Sequence, residues 1–296
     1  MKPEGRVYVN GIMLDAGEAH VSAFDRGFLY GDGVYETLRV FDGRVFRPND
    51  HLKRLLQSAH LVGMDAPFDS EHFAKMLSLV VTENNLSDAV IRVTVSRGVG
   101  GTLGSDLPEQ PTVVASFRPR VYPQVLYDEG VVVHVTDFVR DPRFLDPRIK
   151  SLNFLPNVLA VMESHRVKAH EAILLTPDGR LSEGASSNLF FVDRDGALWT
   201  AADGTVLSGI TRDVVLKSAR KRRIKVVEEA VSPDDVESMR ECFITSTGRG
   251  VLPVASVGET AIGSAVPGEK TRLFMEDYRK ELLDKKNFQP VIPSMR

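Results

Sequence analysis

The sequence has almost none of the chemistry that crosslinks secreted proteins or holds structural metals. Among its 296 residues there is a single cysteine, Cys242, so an intramolecular disulfide is excluded. No CxxC motif or Cys/His cluster suggests a zinc site. A chain of this length buries most of its unfolded surface and is stable without such crosslinks. We therefore expect no metal site and a reducing, cytoplasmic compartment.

The sequence also lacks an excess of positive charge and a long apolar run. Its formal net charge is -3, whereas nucleic-acid-binding domains are usually basic. The basic run KSARKRR (217–223) falls at the end of a predicted helix, where positive charge is favourable. No apolar stretch approaches the roughly 20 residues that span a bilayer. The start, MKPEGRVYVNG, has charges where a signal peptide needs its apolar segment. We expect neither a nucleic-acid nor a membrane partner.

Hydrophobic periodicity and turn residues predict a mixed architecture. Asn10-Gly11 and Asp42-Gly43 are turn pairs flanked by β-prone runs, which indicates two hairpins. Apolar residues at helical spacing indicate helices near 52–62, with Asn49 or Asp50 as the cap, and near 70–84. Further strands are predicted at 89–96, 112–117, 131–138, 172–176, 188–192 and 241–247.

A second group of helices follows a Pro- and Gly-containing stretch, 121–130, which is the best linker candidate. One helix is predicted at about 153–169, with Leu155, Val158, Leu159 and Met162 along one face. Another begins near Thr211. Since strands and helices mix without regular βαβ alternation, we predict an α+β fold. Its domains would be 1–120, a smaller N-terminal domain, and 131–296, a larger one.

Two short segments have the composition of anion sites. In LSGITRDVV (207–215), a glycine and a threonine precede a helix whose first N–H groups would attract an anion. Capping by Ser208 or Thr211 explains the same residues, and local sequence favours it. The run TSTG (245–248) is either a second phosphate cradle or an ordinary turn. Gly31 and Gly33 do not complete a dinucleotide fingerprint, because the third glycine and the helix are missing.

Two charged residues are candidates for chemistry. Glu183 lies among small polar residues before an apolar strand, where it either caps a turn or faces the ring nitrogen of a ligand. Lys150 stands between the apolar Ile149 and Leu152, which allows partial burial. A partly buried amine suits a Schiff base, although most lysines are solvated surface charges.

Six segments, taken in order, resemble fold-type IV enzymes that use pyridoxal 5'-phosphate (PLP). This group comprises branched-chain aminotransferases, D-amino acid aminotransferases and aminodeoxychorismate lyases. The segments are DRGFLYGDGVYETLRV (25–40), HLKRLLQSA (51–59), IKSLNFLPNVLA (149–160), LSEGASSNLFFV (181–192), SGITRDVV (208–215) and TSTGRGVLPV (245–254). The resemblance implies a two-domain α+β fold of the D-amino acid aminotransferase type and a homodimer.

The resemblance also implies roles for individual residues. Lys150 matches the lysine that binds PLP as a Schiff base and then transfers the proton. Glu183 matches the carboxylate that keeps the pyridine nitrogen protonated. The other cofactor-contacting positions implied are Arg54, Gly209, Ile210, Thr211, Ser246 and Thr247 toward the phosphate, and Leu207 against the ring.

The substrate positions give mixed signals. Tyr35, in YGDGVYE, takes the position of a carboxylate-side tyrosine of D-amino acid aminotransferases, but their Arg-x-His pair is missing near Thr102–Gly104. Arg92 matches an arginine of branched-chain enzymes that receives an acidic side chain. Arg249 is placed where it could reach a substrate carboxylate. We expect a transaminase for branched-chain L-amino acids and 2-oxoglutarate, with D-amino acid transamination as the second reading and lyase activity as the third.

Overall fold

The computed structural model describes residues 4–65 and 67–288. The chain forms two compact units, each built from separated segments. Unit 1 takes the chain up to Arg120, then Ile149–Phe154, and then the chain from Asp284 onward. Unit 2 takes Val121–Arg148 and Leu155–Leu283. The last eight residues of the predicted domain 131–296 lie outside the described part.

Unit 1 is an antiparallel sheet of six strands with two long helices packed against it. The strand order is β2-β1-β6-β5-β3-β4. Both predicted hairpin turns are present, since Asn10, Gly11, Asp42 and Gly43 all have the positive φ of such turns. The elements are β1 (Arg6–Val9), β2 (Ile12–Asp15), a short α1 (Arg26–Tyr30), β3 (Gly33–Phe41), β4 (Arg44–Val45), α2 (Pro48–Leu61), α3 (Ser70–Glu83), β5 (Asp88–Ser96) and β6 (Thr112–Pro119).

Helices α2 and α3 cover one face of this sheet. Helix α2 packs on β3, and α3 packs on β1 and β6. The core between them contains the fully buried Leu38, Leu55, Ile91 and Val80. The predicted cap of α2 is wrong. The N-cap is Arg47, in the left-handed region, and Pro48 starts the helix, since proline needs no N–H partner at that position.

Residues 149–154 join unit 1 by adding to the edge of β3. The β4 strand pairs only with the far end of β3, so the edge near Gly33 is open to another partner. The backbone of Leu152 donates to the oxygen of Gly33 at 2.9 Å, and Tyr35 donates to the oxygen of Lys150 at 2.9 Å. This pairing accounts for the inclusion of Ile149–Phe154 in unit 1, whereas consecutive segments were expected from the sequence.

Unit 2 is a larger mixed sheet flanked by helices. Its strand order is β12-β11-β10-β13-β14-β7-β8-β9, with β15 paired to β14. Its elements are α4 (Val125–Asp128), β7 (Val131–Val139), α5 (Leu155–Arg166), β8 (Glu171–Leu175), β9 (Leu181–Gly184), β10 (Asn188–Val192), β11 (Leu198–Thr200), α6 (Ile210–Lys221), β12 (Val226–Glu228), β13 (Glu241–Ser246), β14 (Gly250–Val257), β15 (Thr260–Ala261) and α7 (Glu269–Leu283).

The predicted linker at 121–130 is partly structured. It contains the helical turn α4, and its Leu126 and Tyr127 pack against the main core of unit 2. Partial burial of these two largely apolar side chains fixes the segment on unit 2, although the flanking Pro and Gly are typical of a linker.

Helix α5 forms as expected but does not bury the expected face. Leu155, Val158, Leu159 and Met162 are between 43% and 66% exposed. The residues that it buries are Asn157, Ala160 and Ser164. The described helices include none that is long and apolar enough to cross a membrane.

Candidate active site

Lys150 lies in the strand-like segment that pairs with β3. Its backbone N–H donates to the hydroxyl of Ser58 on α2 at 3.1 Å, while its carbonyl accepts from Tyr35. The backbone on both sides of the lysine is therefore fixed. Its side chain is half-buried, and the ammonium Nζ lies 4.6 Å from the centre of the Tyr35 ring.

Tyr35 is also contacted by Arg92. The two residues lie on the same face of the β3–β5 pair, because Tyr35 is opposite Thr94 and Thr37 is opposite Arg92. The guanidinium carbon of Arg92 is 3.7 Å from the ring centre, and its Nε donates to the hydroxyl of Thr94 at 3.2 Å. Burial lowers the pKa of Arg92, and Tyr35 opposes this shift. Two cationic groups therefore share one aromatic ring.

On the opposite face of β3, Arg54 forms a buried ion pair with Glu36. Its Nε and Nη2 donate to the two carboxylate oxygens of Glu36 at 2.6 and 2.8 Å. The Nδ1 atom of His51 lies 2.7 Å from the same carboxylate. Glu36 and His51 are both fully buried, and Arg54 nearly so. Because α2 packs on β3, residues 15 and 18 positions apart are brought together.

Charge and burial oppose each other in this cluster. Burial raises the pKa of the Glu36 carboxyl, but the Arg54 guanidinium outweighs it and holds that pKa well below its usual range. Burial lowers the pKa of His51. The ion pair with Arg54 therefore keeps Glu36 in its charged form inside the core.

In unit 2, Glu183 is a buried carboxylate at the end of β9. One of its oxygens accepts from the backbone of Leu207 at 3.1 Å and from the Asn188 side chain at 3.2 Å. The other lies 3.3 Å from Nε of Arg140. Asn188 also donates to the carbonyl of Leu207 at 2.8 Å. These contacts bring two of the predicted residues, Glu183 and Leu207, together.

The start of α6 lies next to this carboxylate cluster. The N-cap of α6 is Gly209, which has an extended backbone and no side chain that could cap the helix. A Cβ at this position would lie 2.0 Å from Oδ1 of Asn188, so a larger residue would displace the Asn188 side chain from its bonds to Glu183 and Leu207. Ile210 and Thr211 are buried in the first turn. The anion site at this turn stays a prediction, supported by the first-turn N–H groups and the helix dipole.

The turn after β13 carries the third group of predicted residues. Ser246 accepts from the backbone of Arg249 at 3.3 Å, with Thr247 between them. The guanidinium of Arg249 donates to the buried carboxylate of Glu171 at 2.5 Å. Burial lowers the pKa of Arg249, but the charge of Glu171 outweighs this and raises it.

Comparison with known proteins identifies the family. The sequence profile described as Amino-transferase class IV matches residues 33–257. A Methanocaldococcus jannaschii protein named "Putative branched-chain-amino-acid aminotransferase" is 37% identical over 278 residues, 93% of this chain and 95% of the relative. The chain belongs to the class IV aminotransferases. It is therefore an enzyme, and the expected fold and transaminase class are confirmed.

Other class IV aminotransferases show the range of the similarity. A D-alanine aminotransferase of Listeria monocytogenes is 32% identical, covering 94% of this chain and 96% of the relative. The structure of the branched-chain aminotransferase from the thermophilic archaeon Thermoproteus uzoniensis with norvaline has a TM-score of 0.88 at 27% identity. That alignment covers 97% of this chain and 99% of the other.

Class IV aminotransferases use PLP, and the residues of this chain fit it. The fit consists of a half-buried amine at Lys150, a buried carboxylate at Glu183, and a glycine N-cap at Gly209, where an added Cβ would meet the Asn188 side chain. With PLP bound, these would supply, respectively, a nucleophile, a partner for a protonated ring nitrogen and donors for a phosphate.

The predicted residues divide between the units: Tyr35, Arg54, Arg92 and Lys150 lie in unit 1, and the others lie in unit 2. Sequence reasoning missed the groups that hold them in place: Glu36, His51, Ser58, Arg140, Glu171 and Asn188. Some signals were available. Glu36 interrupts an apolar strand in VYETLRV, and Glu171 begins the apolar run EAILL. A carboxylate in such a run is rarely buried without a partner, but the sequence does not identify that partner.

Proposed function

We propose that this aminotransferase moves amino groups between branched-chain L-amino acids and 2-oxoglutarate. The observation that supports it best is the arrangement around Tyr35. Its ring lies 3.7 Å from the Arg92 guanidinium and 4.6 Å from the Lys150 ammonium. A cation for a side-chain carboxylate thus lies close to the amine that would react.

The stacking of Arg92 also suits a substrate without a second carboxylate. A transaminase of this kind must accept leucine and glutamate in one pocket. With glutamate, the planar fork of Arg92 binds the side-chain carboxylate. With leucine, the guanidinium keeps its contact with the Tyr35 ring and is not left as an isolated charge. Arg249 has a counter-ion of its own in Glu171, and we propose that it binds the α-carboxylate.

The other residues have roles toward the cofactor. Bound PLP would supply an electron sink for negative charge at Cα. Lys150 would hold the cofactor and move the proton at Cα. Glu183 would pair with the ring nitrogen, and Leu207 would pack on the ring. Arg54 and the donors at Gly209, Ile210, Thr211, Ser246 and Thr247 would bind the phosphate.

D-amino acid transamination is the second candidate. It is favoured by the D-alanine aminotransferases among the relatives, one of which is 32% identical over 94% of this chain. Tyr35 also fits it, since the resemblance places this tyrosine at a carboxylate of D-substrates. Donor stereochemistry distinguishes the two candidates.

We also propose a homodimer and a cytoplasmic location. The exposed apolar face of α5, formed by Leu155, Val158, Leu159 and Met162, supports the dimer. Faces of this kind are typical of protein–protein contacts. Cys242 is the one cysteine of the chain and is buried, and a chain without an intramolecular disulfide suits a reducing compartment.

The deciding experiment is a half-reaction screen of the PLP-loaded enzyme. Conversion of PLP to its pyridoxamine form is followed by absorbance with both enantiomers of leucine, alanine and glutamate. We expect conversion with L-leucine and L-glutamate, and none in the Lys150→Ala variant. Conversion by D-enantiomers alone would show that the second candidate is correct. No conversion with any donor would refute transamination.

Arg92→Ala tests the proposed side-chain contact. We expect kcat/KM for the L-glutamate half-reaction to fall by about 10- to 100-fold, as for the loss of a charge-assisted pair. The value for L-leucine should change by less than about threefold. Arg92→Lys keeps the charge but not the planar fork. Its kcat/KM for L-glutamate should lie between the values of the wild type and of Arg92→Ala. Equal losses with both donors would remove Arg92 from side-chain recognition.

A further inference from the structure

Glu171 is a buried carboxylate to which no role has yet been assigned. Only 1% of its side chain is exposed. Its Oε2 accepts from the hydroxyls of Ser186 and Ser187 at 2.6 and 3.2 Å and from Nη1 of Arg249 at 2.5 Å. Its Oε1 accepts from the backbone of Ala172 at 3.2 Å. A carboxylate held by this many donors has one fixed orientation.

Through this carboxylate the Arg249 side chain is fixed as well. The backbone of Arg249 is held at both polar atoms, since its N–H donates to Ser246 and its carbonyl accepts from Tyr127 at 2.7 Å. A cation of this length normally loses much rotamer entropy on binding a ligand. Here much of that loss has already occurred on folding, because both the turn and the guanidinium are held.

The ion pair presents its positive end outward. The Arg249 side chain is 21% exposed, while that of Glu171 is 1% exposed. An incoming anion would therefore meet the guanidinium and not the carboxylate. Since Glu171 already balances the charge, Arg249 does not remain as an unpaired buried cation when the anion leaves.

Glu171 also connects two segments with proposed roles. Ser186 and Ser187 follow Glu183 on one segment, and Arg249 follows Thr247 on the other. One carboxylate thus fixes the guanidinium relative to the strand that carries Glu183. Loss of a contact made equally with bound substrate and transition state raises KM and leaves kcat unchanged, so loss of this connection should weaken substrate binding.

We propose that Glu171 is a positioning residue that orients Arg249 toward the α-carboxylate common to all amino-acid and 2-oxo-acid substrates. The proposal rests on the transaminase function proposed above. It separates the roles of the two arginines, because Arg92 acts on the substrate side chain and Arg249 on the α-carboxylate.

The test measures carboxylate binding apart from chemistry. The probe is 4-methylpentanoate, which has the carboxylate and carbon skeleton of leucine but no amino group to react. Its Kd for the PLP-loaded enzyme is measured by calorimetry, and KM and kcat are measured for L-leucine and L-glutamate. We expect Glu171→Gln to raise the Kd and both KM values by about tenfold. We expect kcat and PLP retention to stay within about twofold.

Two further variants connect the effect to Arg249. Arg249→Gln should raise the Kd at least as much, and the double variant Glu171→Gln/Arg249→Gln should bind no more weakly than Arg249→Gln alone. Glu171→Asp keeps the buried charge and so preserves folding, but it shortens the side chain. It should still weaken probe binding. The exposed Glu237→Gln serves as the control and should bind as the wild type does.

Several results would overturn the role of Glu171. These are wild-type Kd values in Glu171→Gln or Glu171→Asp, a full additional loss in the double variant, or an effect on PLP retention alone. Failure of the proposed function is visible separately, since wild-type enzyme would then bind the probe without converting any amino donor. If only leucine or only glutamate were affected, Arg249 would not bind the α-carboxylate.

Discussion

Several of the proposed site residues of this aminotransferase are paired with an opposite charge of their own. Arg54 has Glu36, Arg249 has Glu171, and Glu183 has Arg140. Such pairs contribute little net stability when buried, but removing one partner leaves an uncompensated charge. Substitution at one of these residues therefore affects both its ligand and its partner. The choice of control variant has to take this into account.

Arg54→Ala should weaken PLP binding more than it alters the bound cofactor. The proposed contact is a charge-assisted hydrogen bond to the phosphate, and its loss should raise the Kd for PLP by about tenfold or more. Retention is measured by absorbance after dialysis. The absorption maximum of the remaining bound PLP should not shift, because the phosphate is remote from the reacting carbon.

The neighbouring Lys53 provides a matched control on the same helix. It is exposed, whereas Arg54 is buried, so Lys53→Ala removes a cation that the cofactor would not contact. Glu36→Gln should also lower PLP retention, because the Arg54 guanidinium loses the bidentate carboxylate that orients it. If Arg54→Ala kept PLP as well as Lys53→Ala does, Arg54 would have no role at the phosphate.

Contacts between site residues that are far apart in the sequence could not be predicted from it. The roles of Lys150 and Glu183 were predicted only because the surrounding segments resemble a family, as nothing local distinguishes Lys150 from a surface lysine, and they stay predictions. Glu171 and Arg249 are 78 positions apart. Such a pair is formed by strand order in the sheet, and residue pattern does not reveal strand order.

At the scale of elements, α6 and α7 are joined by one carboxylate. Asp277 on α7 accepts from Nε and Nη2 of Arg222 at 2.7 and 2.8 Å and from Ser218 on α6. The hydrogen bond from Arg222 lowers the pKa of Asp277 from its ordinary value near 3.8 to about 2. Because α6 begins at the proposed phosphate site, this contact supports that site from the far end of the helix.

The stabilisation by Asp277 should depend on pH in a defined direction. A carboxyl with a lowered folded-state pKa stabilises fully above its unfolded pKa, and the effect is lost as pH falls from about 4 to about 2. We expect Asp277→Asn to lower the free energy of unfolding by about 1–2 kcal/mol at pH 7 and by about half as much at pH 3. Urea titration at the two pH values measures this.

Glu276 is the matched control for this experiment, since it neighbours Asp277 but is 65% exposed. Glu276→Gln should change stability by less than about 0.5 kcal/mol at either pH. A loss in Asp277→Asn that stayed constant between pH 7 and pH 3 would show that packing, and not the charge, is responsible.

Elements were easier to predict than their ends and faces. The hairpins follow from Asn-Gly and Asp-Gly, whose φ angles only a few residue types accept readily. The cap of α2 was missed because Arg47 adopts a left-handed φ of 47°, which is uncommon for a long side chain. The apolar face of α5 was found, but periodicity cannot distinguish a face buried in the core from one available to a partner.

At the scale of the whole molecule, the order of segments along the chain does not show which segments belong to which unit. Lys150 lies on a segment of six residues that leaves one unit and joins the other. Turn residues mark where a chain changes direction. They do not say which open strand edge the chain will reach, and here that edge is the start of β3.

The proposed dimer leads to a prediction about the exposed face of α5. Val158 lies at the centre of this face and is 45% exposed. In the dimer it should be buried by the partner subunit. A carboxylate introduced there would have no counter-ion in an apolar contact. We expect Val158→Glu to shift the enzyme toward monomer in sedimentation velocity at micromolar concentration, and to lower turnover in parallel. Val167 is 55% exposed but lies just beyond α5, so Val167→Glu should remain dimeric. A monomeric wild type, or a Val158→Glu variant that stays fully dimeric, would place the subunit contact elsewhere or remove it.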